Sequence, residues 1–251
     1  LVHNGGLIKT VQFGNPKYVG DPINAVKIFN EKEVDEIIVV DIDASVKHRE
    51  PDYGMIRNLA AECRMPLCYG GGVKTAEQFD RIVSLGVEKV SVSSAVVEDP
   101  ELVGKAAEVV GNQSVVVVMD VRRNGNHGYE VWTHNAGRKS GRSAVELARE
   151  MVGLGAGEIV LNSIDNDGVM KGYDLEVVRQ VWEAVRVPMT VLGGAGSLED
   201  MGRLIREFGI IGAAAGSLFV FKGKFKAVLI NYPRREEKQK VYPQITQSSA
   251  D

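Results

Sequence analysis

Cysteine is scarce in this chain: among 251 residues there are two, Cys63 and Cys68, five positions apart. Two such thiols supply neither a disulfide framework nor a zinc-binding set, and they fit a reducing, cytoplasmic setting. No apolar run approaches the ~20 residues that a membrane span needs. No signal-peptide pattern is visible at the start. Excess positive charge is also lacking. The formal net charge is −3, so nothing points to nucleic acid. Initiator methionine is absent too: the chain opens on Leu1, which raises the expectation of residues upstream.

What is present is an alternation. Short apolar runs at Ile37–Asp41, Pro66–Gly70, Lys89–Ser94, Val115–Asp120, Glu158–Asn162, Pro188–Gly193 and Ile211–Ser217 are near-continuous, the habit of parallel strands buried on both faces. Between them lie stretches of helical period. Thr75–Leu85 turns Ala76, Phe79, Ile82 and Val83 to one side, and Thr75 with Gln78 reads as a capping box. Ala144–Val152 and Leu175–Val185 are similar. Repeated strand–helix alternation predicts an α/β fold with a parallel sheet and right-handed crossovers. Seven strands are countable. An eightfold (β/α)8 TIM barrel needs one more, of which Leu1-Val2 would be the tail, so the first strand is expected to be largely missing from this chain. Leu7–Phe13 reads as extended loop.

The chain also resembles itself. "GGGV" at 70–73 returns as "GGAG" at 193–196, and "SSAVV" at 93–97 returns in form as "GSLFV" at 216–220, both displaced by 123 residues. Two half-barrels would produce this. An open doubly wound sheet is the structural alternative. The expected domain is single, residues 1–251, with a polar tail from about Tyr232.

Glycine and serine cluster at four strand ends: Gly70-Gly71-Gly72 with Ser93-Ser94, and Gly193-Gly194 with Gly216-Ser217. Glycine lets backbone N–H groups approach an anion, and a following helix start adds partial positive charge. One cluster alone could be a tight turn. Two, half a chain apart, predict a ligand with a phosphate at each end. Carboxylates occupy the same strand ends: Asp41, Asp43, Asp120, Asp165 and Asp167. In a barrel these converge on one face, where crowding separates pKa values and suits acid–base work. Asp120 and Asp167 are the catalytic candidates, and Asp43 is expected to cap a turn. No metal is expected, since no histidine has ligand spacing to these acids. His3, His48, His127 and His134 are expected to be solvated loop residues. Glu36, Lys89 and Glu158 open alternate strands at the opposite end, where a solvated rim and a closed ring of charge are the two readings.

Taken in order, "GDP" at 20–22, "VVDIDAS" at 39–45, "YGGGV" at 69–73, "KVSVSSAVVEDP" at 89–100, "VVVVMDVRR" at 115–123, "GAGEIVLNSIDNDG" at 155–168, "GYD" at 172–174 and "GGAG" at 193–196 resemble the cyclase subunit of imidazole glycerol phosphate synthase, the HisF family. The resemblance runs from Leu1 to about Phe221. It implies a (β/α)8 barrel with no cofactor. It also implies a glutaminase partner (HisH type) docked at the N-terminal face, and ammonia passing through the barrel to a bis-phosphorylated substrate. That face carries a salt-bridged gate matched by Glu36, Lys89 and Glu158, which favours the ring over the rim; the gate's arginine would precede Leu1. Phosphate contacts carry over to Gly72, Ser94, Gly168, Gly194 and Ser217, joined by Ser93, Gly193, Gly216 and Lys9 of the same loops. Ser93-Ser94 replaces the family's Asn-Thr, and Asn4-Gly5 replaces Asp-Gly.

One departure bears on chemistry. The family pairs an Asp at the end of strand five, matched by Asp120, with another at the end of strand one. Counting back from Lys9 and Phe13 places the second at Leu1. Three functions follow. One is the family's cyclisation to imidazole glycerol phosphate in histidine biosynthesis. Another is a cyclase-impaired paralogue relaying ammonia for amidation of a surface-polysaccharide sugar, as the "LVHNGGLIKT" loop suggests; this is slightly preferred for the physiological role. The third and weakest is a phosphoribosyl isomerase-type sister barrel.

Overall fold

The computed structural model describes residues 1–125 and 128–242. His127 and the tail beyond residue 242 lie outside the described residues. The chain opens with β1 (Val2–His3), β2 (Gly6–Val11) and β3 (Gly14–Gly20), which form a small antiparallel sheet. The segment expected to be loop is therefore a hairpin. Its register shifts twice, and Gln12 and Phe13 at its tip take positive φ.

The main sheet holds β4 (Ile37–Val40), β5 (Leu67–Gly70), β6 (Lys89–Val92), β7 (Val115–Arg123), β10 (Glu158–Ser163), β11 (Met189–Leu192) and β12 (Gly212–Ala213), all parallel neighbours in chain order. These are the seven expected strands. Val2 adds a parallel bridge to Asp41 beyond β4, and Ile8 N–H donates to the Leu1 carbonyl at 2.9 Å. Leu1-Val2 thus lies alongside strand two of the barrel.

β7 runs further than its apolar run. It continues to Arg123 and pairs antiparallel with β8 (Tyr129–Thr133), which pairs with β9 (Arg138–Ser143). The residues after Asp120, beyond the apolar run, are the first strand of this extension. Trp132, flanked by Arg122 and Lys139, stands opposite Asp120 and keeps the ribbon formed.

Alternation along each strand divides the core in two. Val115, Val117, Met119 and Val121 face the helices with Ile159, Leu161, Leu67 and Tyr69. Cys68, Val116 and Val160 face the barrel axis, packed by Ile38, Val118 and Leu192. The helices bury the faces their periods predict. Ala76–Ser84 buries Phe79 and Ile82 behind the Thr75–Gln78 capping box, Ala144–Leu154 buries Leu147, Ala148 and Met151, and Leu175–Ala184 buries Val177, Val178 and Val181. Among the described residues no helix is long and apolar enough to cross a membrane.

The start of the polar tail is not loose. Residues Arg235–Gln239 form a helical turn, and Tyr232 and Lys238 both hydrogen-bond to Asp35, at 2.7 and 2.6 Å.

Candidate active site

The inward-facing set runs Glu158, Val160, Asn162 on β10 and Val116, Val118, Asp120 on β7. Counting by two along each strand therefore leads from one mouth of the barrel to the other. At the N-terminal mouth Lys89 Nζ lies 2.9 Å from Glu36 Oε1 and 2.9 Å from Glu158 Oε2. Thr190 Oγ1 donates to the other oxygen of Glu158 at 2.7 Å. Burial disfavours the Lys89 charge, but the bonds to Glu158 and Glu36 outweigh it and raise its pKa. The three residues form one linked cluster instead of a solvated rim. Thr190 went unnoticed in the sequence because nothing local marks it.

At the C-terminal mouth lies a cavity of about 170 Å³. Asp120, Asp167, Lys9, Gly72, Ser93, Ser94, Gly168, Gly193, Gly194, Gly216 and Ser217 all line it, so the structure brings every site candidate outside the N-terminal charge cluster to one place. The two glycine–serine clusters end the neighbouring strands β5 and β6 on one side and β11 and β12 on the other. Ser94 and Ser217 open the short helical turns Ser94–Glu98 and Ser217–Val220, neither of which has a side-chain cap. Their first N–H groups remain available to an anion. Lys9 reaches in from β2 and packs flat on Gly216, where any Cβ would collide with its ammonium group. Burial lowers the Lys9 pKa, opposed by the charge of Asp167.

Asp120 stands between the clusters, in register with Asn162 on β10. Asn162 Nδ2 donates to Asp120 Oδ1 at 2.8 Å. Burial pushes the Asp120 carboxyl up to about 6; the Asn162 bond opposes this and the Asp167 charge adds to it. Such a group changes protonation close to neutral pH, as proton transfer requires. Asp167 is differently placed. Its Oδ2 accepts from Thr10 Oγ1 at 2.6 Å and from Phe13 N–H at 3.2 Å, which ties it to the hairpin. Leu1 lines the same cavity as Asp120.

The other acids do structural work. Asp41, which lines the cavity, caps the helix Ile42–Val46 through the N–H groups of Asp43 and Ala44. Asp165 accepts from Arg123 N–H at 3.0 Å and pairs with Arg122, fixing the β7–β8 ribbon. Asp43 caps the Asn4-Gly5 turn and does more than the turn-capping expected of it. It is buried and accepts from His3 Nδ1 at 2.7 Å, Asn4 N–H at 2.8 Å and Lys47 Nζ at 3.0 Å. Burial alone would raise its pKa, but these donors hold it at about 2. His3 is therefore a partner of a buried acid and not a solvated loop residue. His134 is likewise half-buried, beside Thr133 and Glu98, while His48 is exposed.

Two further residues escaped the sequence reading. Asn162 ends an ordinary apolar run, and Asn135, in the β8–β9 turn, donates to the Ile42 carbonyl at 2.8 Å at the cavity wall. Only the inward parity of β10 could have singled out Asn162. No cluster of metal-ligating side chains occurs among the described residues.

Fold and site define a parallel α/β barrel with a glycine- and serine-rich, carboxylate-bearing C-terminal mouth. Residues 2–226 match the family model described as "Histidine biosynthesis protein". The chain belongs to that family, and within it to the HisF group. Relatives named "Putative imidazole glycerol phosphate synthase subunit HisF" come from Leptospira borgpetersenii, 53% identical over 97% of this chain and 96% of the relative, and Leptospira interrogans, 55% identical over 96% of each. "Imidazole glycerol phosphate synthase subunit HisF" of Alkaliphilus metalliredigens is 38% identical over 87% of this chain and 86% of its own.

Proposed function

We propose that this chain is the ammonia-using subunit of an imidazole glycerol phosphate synthase-type pair. A glutaminase docks at the N-terminal face, and ammonia passes the Glu36–Lys89–Glu158 cluster and travels along the barrel axis. It emerges beside Asp120, between two phosphate-holding clusters. The observation that carries this reading is the common axis: the charge cluster and Asp120 lie on the same inward-facing parity, with small and apolar side chains between them. On the family template the substrate is a ribulosyl aminoimidazole carrying two phosphates. Gly72, Ser93 and Ser94 hold one phosphate; Lys9, Gly168, Gly193, Gly194, Gly216 and Ser217 hold the other. Asp120 moves the proton, while Asp167 holds the hairpin over the site and adds to the field on Asp120.

Leu1 favours a second reading for the physiological role. A leucine shares the cavity with Asp120 where the family's first catalytic acid would stand. A barrel keeping the charge cluster but lacking half the acid–base pair suits an ammonia relay, with amidation of a surface-polysaccharide sugar as the destination. The ribulosyl bis-phosphate supplied with ammonium salt separates the two. Turnover equal to that of a family enzyme with both acids overturns the relay; loss of about 10²–10⁴-fold supports it. In either case a glutaminase should bind at micromolar concentration, and failure to do so overturns both.

A further inference from the structure

Asn162 carries a polar atom that the fold leaves unpaired. The residue is 7% exposed, and its buried Oδ1 has no hydrogen-bond partner among the described residues. The amide cannot resolve this by turning over. Nδ2 donates to Asp120 Oδ1, and above the carboxyl's pKa a turned amide would set two acceptors against each other. A buried acceptor without a donor costs roughly 1–3 kcal/mol, so a fold that keeps one beside a carboxylate is organised for a ligand that donates. Gly193 keeps the place open: it has φ of +90°, and a Cβ there would stand 3.0 Å from Asn162 Oδ1 and 2.6 Å from the Ser163 carbonyl.

We infer that Asn162 and Asp120 together form the binding site for ammonia or ammonium where the barrel axis opens into the cavity, with Asn162 Oδ1 accepting one N–H and the Asp120 carboxylate another. This rests on reading the barrel as ammonia-fed. Both residues lie on the inward parity of adjacent strands, one step above Val118 and Val160, where the axis opens into the cavity. The proton balance is simple. An N–H bond of ammonium breaks, the proton passes to Asp120, and the electron pair stays on nitrogen as the lone pair. Asn162 keeps its own N–H contact, so the nitrogen stays placed. Asn162 is in this sense a positioning residue for Asp120 and a ligand-contacting one for the nitrogen.

The test needs no turnover. The full chain, labelled for NMR and held at a pH above the Asp120 value of about 6, is titrated with ammonium chloride and, at matched ionic strength, with tetramethylammonium chloride, which has no N–H donor. Expected is a saturable shift of the Asn162 side-chain amide and the Asp120 carboxyl carbon with ammonium alone, lost in Asn162→Leu and partly kept in Asn162→Thr, which retains an acceptor. Equal response to both salts, no response to either, or an ammonium response of Asp120 that survives in Asn162→Leu overturns the inference. The comparison of salts on the unaltered chain stands even if a variant fails to fold. Where cyclisation is measurable, Asn162→Leu raises KM for ammonium about tenfold, the equivalent of one lost hydrogen bond, with KM for the bis-phosphate unchanged. A relay without cyclisation leaves the ammonium response intact, so the two failures are distinguishable.

Discussion

Thr10 and Asp167 lie 157 positions apart in the chain and 2.6 Å apart in the fold. The same turn accepts Gln12 N–H on the Asp167 carbonyl at 2.8 Å, and Phe13 N–H on the carboxylate. With the Gln12 side-chain amide donating to the Asp165 carbonyl at 2.8 Å, four bonds hold the β2–β3 hairpin to the loop after β10. Because Lys9 rides on that hairpin, the position of the cavity's lysine depends on an acid from the other half of the chain.

Thr10→Val removes the O–H donor with little change of volume and leaves the backbone bonds in place. Expected is a loss of about 1 kcal/mol in unfolding free energy, read as a lower denaturation midpoint with unchanged slope. Amide exchange at Gln12 and Phe13 should accelerate more than exchange in β7. Uniform acceleration across the barrel would instead mean that the hairpin is not held locally.

Lys89→Met keeps the length of the side chain and removes its charge. Glu158, 8% exposed, and Glu36 then face each other without a cation. The variant should lose about 2 kcal/mol, read as a lower denaturation midpoint. In the complex with a glutaminase, the share of released ammonia that reaches product should fall. Equal stability of variant and parent would contradict the linked cluster.

The parallel strands were legible because each is buried on both faces and so writes its burial as an uninterrupted apolar run. The two glycine–serine clusters of the cavity were legible because glycine and serine recur at matching offsets. The antiparallel ribbons were not. β2, β3 and β9 expose much of their surface and carry Lys17, Tyr18, Arg138 and Lys139, so their strand character comes from pairing instead of burial. Asp120 stood out as a charge ending an apolar run. Asn162 ends one equally, but an amide there reads as an ordinary strand terminus until the neighbouring strand supplies Asp120. The role of Asp43 was hidden for the same reason: its donors His3 and Asn4 lie on another element.

Asp120→Asn should make the protein more stable above pH 6. Burial raises the folded-state pKa to about 6 from the ordinary aspartate value, so the folded form binds more protons than the unfolded form in between. Stability therefore falls as pH rises from about 4 to 6 and stays lower above that, by on the order of 2 kcal/mol. Asparagine can still accept from Asn162 and carries no such dependence. Denaturation midpoints of parent and variant should diverge across that window, with the variant higher. A parallel course would place the Asp120 pKa near its ordinary value.

Asp43 has the opposite sign. Its pKa is depressed to about 2, so its contribution is fully present above about 4 and is lost as pH falls through 2. Asp43→Asn should cost roughly 2 kcal/mol at pH 7, with the gap to the parent closing on acidification toward pH 2. Loss of the carboxylate should also release the His3 ring and Lys47, visible as a change in the His3 side-chain NMR shifts at fixed pH. Unchanged shifts would mean that the contact is not maintained in solution.

Leu1→Asp asks directly what the cavity lost. The gap-free count from Lys9 and Phe13 places Leu1 at the position of the family's first acid, and the fold puts it in the wall of the Asp120 cavity, with Val2 bridged to Asp41. A carboxylate there would share the cavity with Asp120. Ammonium-fed loss of the ribulosyl bis-phosphate should then rise by about 10²-fold or more. Two nearby acids also couple, so the acidic limb of the pH–rate profile should move above the value of about 6 that Asp120 shows alone. Adding Asp120→Asn should abolish the gain, because the restored acid needs its partner. A rise that survives Asp120→Asn would mean that the new carboxylate works alone. No rise at all would mean that Leu1 is not what limits cyclisation in this cavity, with Ser93-Ser94 the next positions to exchange.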